Sequence, residues 1–170
     1  MNSTKLQPPY QNFAEYIRSV KFVQNAFIAG AGLFGLITIF IVEVMKSTGD
    51  FDHLGQVLFI IALTLTVLTF IARKALFPIQ VNILGSKAPL RRKLDVYKAA
   101  VMVQLALIEA PALFCIIVYL LSGNRLVLLL WLFQLYQLFT TRITPEAVSS
   151  TLPLSTAEKM KIDNPEMGID

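Results

Sequence analysis

Hydrophobic positions in this chain come in long blocks, without the period of a surface helix or of a half-buried strand. Phe22 to Val42 and Leu54 to Ala72 carry no charge, Ala99 to Ser122 carries only Glu109, and Leu126 to Thr141 again carries none. A helix of about 20 apolar residues, rising about 1.5 Å per residue, crosses the roughly 30 Å hydrocarbon core of a bilayer. The pattern therefore predicts an all-α membrane protein with four transmembrane helices. The fourth run is the shortest, and Arg125 and Arg142 at its ends are placed to snorkel toward the headgroups or to sit in thinned bilayer.

The segments between the blocks have patterns of their own. Phe13, Tyr16, Ile17 and Val20 follow i, i+3, i+4, i+7 spacing, so the arm over 1–21 reads as a short amphipathic helix on the membrane surface or as an extended lead-in. Phe77, Ile79, Val81 and Ile83 alternate with proline and polar residues, either as a strip on the bilayer surface or with the second helix extended to Phe77. After Thr141, Thr144-Pro145-Glu146 has a capping residue, a proline at the first helical position and an acid in the first turn. Ser155 and Glu158 have capping-box spacing. Two short helices are expected in this tail, with a frayed end from Asn164. The division is an arm (1–21), a first transmembrane hairpin (22–72), a basic loop (73–97), a second hairpin (98–142) and a tail (143–170).

Composition agrees, with 55% apolar and 15% charged residues. Charge then sets an orientation, because short cytoplasmic loops are enriched in Lys and Arg. The arm holds Lys5, Arg18 and Lys21. The central loop region holds Arg73, Lys74, Lys87, Arg91, Arg92, Lys93 and Lys98, and the tail holds Arg142, Lys159 and Lys161. Lys46 and Arg125 are alone in the other two connections. Both termini and the central loop are expected in the cytoplasm, with the chain in a bacterial inner membrane. The first 20 residues lack the apolar core of a cleavable signal, so targeting falls to the first spanning helix. The net charge of +4 needs no nucleic-acid partner; anionic headgroups account for where the basic residues sit.

Sliding the chain by 80 positions lays Val23-Gln24 onto Val103-Gln104, with Ala26, Ile28, Leu33, Phe34 and Ile37 matching Ala106, Ile108, Leu113, Phe114 and Ile117. The economical reading is a tandem repeat of two helical hairpins, against chance similarity between apolar helices. The second copy has Glu109 and Pro111 where the first has Ala29 and Ala31. Ala26 with Gly30, Ala31 with Gly35, and Ala106 with Ala110 form small-xxx-small pairs that let helix backbones approach closely in lipid.

An ionisable group at bilayer depth is costly and is a functional candidate by default. In an antiparallel hairpin pivoting near Gly123, Gln137 is level with Glu109 and Gln134 is about one turn away. Pro111 cannot donate to the carbonyl of Leu107 and is expected to kink the helix. Glu109, Gln134 and Gln137 are thus the candidate ion or proton site, with Pro111 as its kink. A carboxyl held away from water favours its neutral form and becomes able to exchange a proton near neutral pH. The alternative is a neutral Glu109 serving as hydrogen-bond glue to one of the glutamines.

Leu107-Ile108-Glu109-Ala110-Pro111-Ala112-Leu113-Phe114 resembles the carboxylate helix of rotor-ring proteolipids, the c-type subunits of rotary ATP synthases and ATPases. In that family a Glu is followed by small residues, an aliphatic and an aromatic, and the Glu binds the translocated proton or sodium ion. A duplicated four-helix chain with one carboxylate is also similar to the vacuolar-type subunits. The resemblance covers one helix and, loosely, the Gly-bearing first helix. It departs from the family in the long basic central loop, in the single Gly55 of the preceding helix and in the tail from Thr144. It implies a carboxylate helix of that type without ring assembly.

Catalytic chemistry has few candidate groups. His53 is the single histidine, beside Asp50 and Asp52, and Cys115 is the single cysteine, so neither a zinc cluster nor a nucleophile triad is expected. No phosphate loop or haem-type His pair is present in the sequence, and no cofactor is expected. Two functions are left: a proton- or cation-linked carrier element centred on Glu109, or a non-catalytic scaffold or accessory subunit. The expected partners are the lipid bilayer, a proton or monovalent cation, and either further copies of the chain or another membrane subunit.

Overall fold

The computed structural model describes residues 10–44, 54–82, 88–164 and 168. Lys46, Asp50, Asp52, His53, Ile83 and Lys87 lie outside the described residues. The first helix, α1, spans Phe13–Ile39. Asn12 caps it by accepting from the Glu15 amide at 2.9 Å, and the Glu15 carboxylate accepts from the Gln11 amide at 2.7 Å. These two bonds satisfy backbone donors that a helix start leaves unpaired. The helix therefore begins at Phe13 and runs on into the apolar block. Residues 13–21 are neither a separate surface helix nor an extended arm, because Phe13, Tyr16 and Val20 are buried as the first turns of α1.

Beyond Ile39 the hydrogen-bond ladder widens into a π-helical turn, Phe40–Val44, which carries Glu43. The second helix, α2, spans Gly55–Asn82 and takes in Phe77, Pro78, Ile79 and Val81. The surface strip is replaced by helix extended past Phe77, because the last turns have something to pack on. Val81 is buried, and Phe77 stands edge-to-face on Tyr97 with ring centroids 6.0 Å apart.

The third helix, α3, spans Leu90–Ser122 and is the longest. Its first two turns are the segment expected as basic loop, so Arg91, Arg92, Lys93 and Lys98 are helical. It continues through Pro111, which is buried, and stops at Gly123. There φ is +63°, a left-handed conformation that suits glycine, and the Gly123 amide donates to the Tyr119 carbonyl at 2.8 Å.

The fourth helix, α4, spans Leu126–Thr140, about 22 Å at the helical rise. The chain then bends by 86° into α5, Pro145–Thr151. A last helix, α6, spans Thr156–Asp163. Both tail helices have the expected caps: Thr144 accepts from the Ala147 amide, and Ser155 with Glu158 forms a capping box. Among the described residues three helices are long and apolar enough to cross a membrane, or four if α4 and α5 are one bent span. Among the described residues there is no strand, only an isolated bridge between Asn12 and Gly168. The chain is an all-helical, multi-pass membrane protein.

The helix arrangement differs from two packed hairpins. α1 and α2 both rest on α3, as does α4, while α1 and α2 make only marginal contact with one another. α3 accordingly buries a broad face that includes Leu94, Tyr97, Val101, Leu105, Ile108, Ala112, Cys115, Ile116 and Tyr119. The outward faces of the others expose Leu33, Leu36 and Ile37 on α1, Ile60, Leu68 and Ile71 on α2, and Leu129, Leu132 and Phe139 on α4. Such apolar surface suits hydrocarbon rather than water.

Of the described glycines in helices, Gly35 has the nearest neighbour from another helix. A Cβ there would come within 2.1 Å of Trp131 Cζ2, so the indole of α4 lies directly on the α1 backbone. Ala31 and Gly35 are buried as the small-residue pairing predicts. Ala26, Gly30, Ala106 and Ala110 are exposed instead and do not pack the helices of one chain together.

The end of the bundle where Asn12 and Gly168 meet is tied by polar contacts. Lys93 is fully buried, and its ammonium donates to both Glu158 carboxylate oxygens at 3.0 and 2.9 Å, holding α6 on α3. Tyr16 donates to the Leu94 carbonyl at 2.8 Å, and the Tyr10 hydroxyl donates to Asp95. Burial pushes the Glu158 pKa up, but the Ser155 amide and Lys93 outweigh it and hold the carboxyl below its ordinary value. A carboxylate depressed in this way contributes stability that is present above its unfolded pKa of about 4.3 and is lost as pH falls through the folded value.

Two outcomes follow from these contacts. Gly35→Ala destabilises the protein by about 1–3 kcal/mol, as overpacking does, whereas Gly32→Ala, where a Cβ meets nothing within 4 Å, is tolerated; unfolding in detergent micelles checks both. Acidification below about pH 4 releases α6 in the wild type, seen as faster amide exchange in α6, while Glu158→Gln exchanges fast already at neutral pH.

Candidate functional site

Glu109 lies 13 residues before the end of α3, about 20 Å of helix, which places it deep within the apolar block. Its side chain is half-buried and turns toward α1, where a Cβ on Gly30 would stand 3.6 Å from Oε1. Among the described residues it makes no hydrogen bond and no ion pair. Around it the exposed surface is made of small residues, Ala26 and Gly30 from α1 with Ala106 and Ala110 from α3. The absence of side-chain bulk there leaves the carboxylate reachable from outside the chain.

The two glutamines face elsewhere. Gln134 donates from Nε2 to Thr66 Oγ1 of α2 at 3.2 Å, and Gln137 donates to Gln134 Oε1 at 3.1 Å. Both are buried, and this α2–α4 chain of amides reaches no part of Glu109. A shared depth along an antiparallel pair fixes height and leaves the direction around the helix axis free, which is why level residues point to different neighbours. Pro111 belongs to the face turned to the core, next to buried Ala112 and Cys115, so it sits off the carboxylate's open side.

Gln24 shows what the first half of the repeat does with its polar residue. It donates to the carbonyls of Leu138 and Thr141 at 2.7 and 2.8 Å. The last carbonyls of α4 lack helical donors, and this amide supplies them where the chain turns into the tail. Gln104, the matching residue, lines a cleft at the same end of the bundle.

Glu43, Tyr119 and Thr66 make polar contacts that the sequence pattern does not assign. At the end away from the termini, Arg125 donates to both Glu43 oxygens at 3.0 and 2.7 Å, and the Tyr119 hydroxyl donates to Glu43 at 2.8 Å. This exposed, two-pronged pair ties the end of α1 to the α3–α4 turn. The signal was present: a lone acid just past one apolar run and a lone Arg in the opposite turn. Thr66 is the third, hidden as one threonine in an apolar helix. Among the described residues no group of His, Cys, Asp or Glu is placed to hold a metal ion.

No family model, curated protein or solved structure matches the chain.

Because the glutamine network and Glu109 are separate, Gln134→Leu costs about 1 kcal/mol of stability and leaves the chemical reactivity of the Glu109 carboxyl unchanged. Unfolding in micelles and carboxyl modification of the same sample check the two halves.

Proposed function

We propose that this chain is a non-enzymatic membrane subunit carrying an exchangeable carboxylate, a proton- or cation-linked element that works against another membrane surface through Glu109. The observation that carries this reading is the position of Glu109: deep in the apolar span, half-exposed on the α1–α3 face, and without a polar partner among the described residues. A carboxylate in hydrocarbon requires a proton, a bound cation or a polar partner. Among the described residues no neighbour supplies the third, which leaves a proton, a bound cation or a facing subunit. The resemblance of Leu107 to Phe114 to a rotor-type carboxylate helix agrees with a proton or a monovalent cation as the species exchanged.

A second reading has its own support. The exposed small residues Ala26, Gly30, Ala106 and Ala110 allow a helix of another chain to approach closely, and a scaffold or accessory subunit would use them for assembly alone. In that case Glu109 is glue to the facing helix. The bilayer is the common partner of both readings, and the facing helix belongs to a second copy or to a different membrane protein.

A hydrophobic carbodiimide, which attacks protonated carboxyls in apolar surroundings, separates the two. In proteoliposomes it modifies Glu109, as read by peptide mass, and raising the pH or adding sodium slows the reaction. Gly30→Leu, which adds bulk beside the carboxyl, slows it severalfold, and Glu109→Gln abolishes it while folding is retained. No labelling at any pH, with Glu109→Leu disrupting assembly, would favour the accessory-subunit reading.

A further inference from the structure

The end of the bundle that carries the termini holds a half-open cleft of about 250 Å³ between α2, α3, the end of α4 and α5. Arg73 of α2, Arg142 after α4 and Gln104 of α3 line it. Among the described residues neither arginine has an acidic partner; the Arg73 guanidinium lies over the Phe70 ring, 5.7 Å from its centroid. The threonine hydroxyls in the cleft are already committed as donors. Thr140, Thr141 and Thr151 donate to the carbonyls of Tyr136, Gln137 and Ala147 at 2.9, 2.9 and 2.6 Å. The side-chain donors that line the cleft and are left for a ligand are the two guanidinium groups, the Gln104 amide and the Tyr97 hydroxyl. The hydroxyl lone pairs stay available to a ligand that brings hydroxyl hydrogens.

Depth is the second consideration. Arg73 is 18 residues from the start of α2, about 27 Å along the helix, and Arg142 follows the last turn of α4. With the start of α2 at one face of a roughly 30 Å hydrocarbon layer, Arg73 falls near the opposite face, where phospholipid phosphates sit, and Arg142 lines the same cleft. Phe77 and Val101 provide apolar wall on the same cleft. Paired guanidinium groups recognise phosphate by parallel, charge-assisted hydrogen bonds.

We propose that this cleft binds a phosphate group between Arg73 and Arg142, carried by an anionic phospholipid headgroup such as a phosphatidylglycerol. The same donors would take free phosphate, and the experiment separates the two sources. Thermal unfolding is followed in neutral detergent with added phosphatidylglycerol, with phosphatidylcholine, and with inorganic phosphate. Phosphatidylglycerol raises the wild-type midpoint and phosphatidylcholine does not. In the Arg73→Gln, Arg142→Gln double variant the apparent lipid affinity falls about tenfold or more, while the charge-matched control Arg18→Gln, Lys21→Gln keeps it. A midpoint raised equally by inorganic phosphate, and lost in the same double variant, supports the site with free phosphate as its occupant. Should the Gln variant fail to fold, Arg73→Lys, Arg142→Lys keeps the charge, loses the paired geometry and is expected to lose most of the shift. The proposal is overturned if neither anion shifts the wild type, or if the shift persists in the arginine variants.

Discussion

Every spanning helix in this protein depends on contact with α3. Lipid tails are as apolar as leucine, so helices in a bilayer gain nothing from mere apolarity and must associate through close packing and polar links. α3 takes packing from α1, α2 and α4, and further close contacts and polar links join α4 to α1 and to α2. Trp131 of α4 lies on the bare backbone of Gly35, the starts of α2 and α4 surround Ala112, Cys115 and Ile116, and Tyr10, Phe13 and Tyr16 pack with Leu94 and Tyr97. α1 and α2, consecutive in the chain, need not touch at all.

That arrangement gives each end of the bundle a different character. Where the termini meet, a buried lysine, a tyrosine bonded to a backbone carbonyl and two short capped helices build something close to a small water-soluble core. At the other end, among the described residues, Glu43 accepts from Arg125 and from Tyr119 above the Trp131 cluster. The exposed ion pair itself contributes little stability in water. Between them the α1–α3 face is left open at Glu109, with small side chains in place of the packing seen elsewhere.

The apolar blocks were legible because bilayer thickness fixes their length. So were the tail helices, whose caps at Thr144 and Ser155 are local chemistry. The Gly123 turn was readable for the same reason. What escaped was decided by tertiary contact. Residues 13–21 read as a separate amphipathic helix or an extended arm and 90–97 as loop, yet both are the first turns of long helices, where Tyr16, Leu94 and Tyr97 are buried in one cluster. The proposed grouping of Glu109 with Gln134 and Gln137 used height alone, and the angle around α3 turned the carboxylate to Gly30 while the glutamines turned to Thr66. The duplicated pattern marks α1 and α3 as related in sequence, but their surroundings diverge, with Gln24 capping α4 and Gln104 facing a cleft.

The most direct measurement is carboxyl infrared difference spectroscopy of the protein in lipid bilayers, wild type against Glu109→Gln, over a pH series. An exchangeable carboxylate on an open face gives a protonated carboxyl band that is missing in Glu109→Gln and that changes reversibly with pH or with added sodium. A Glu109 band indifferent to both would contradict the exchange and leave the carboxyl as a fixed contact to a neighbouring helix.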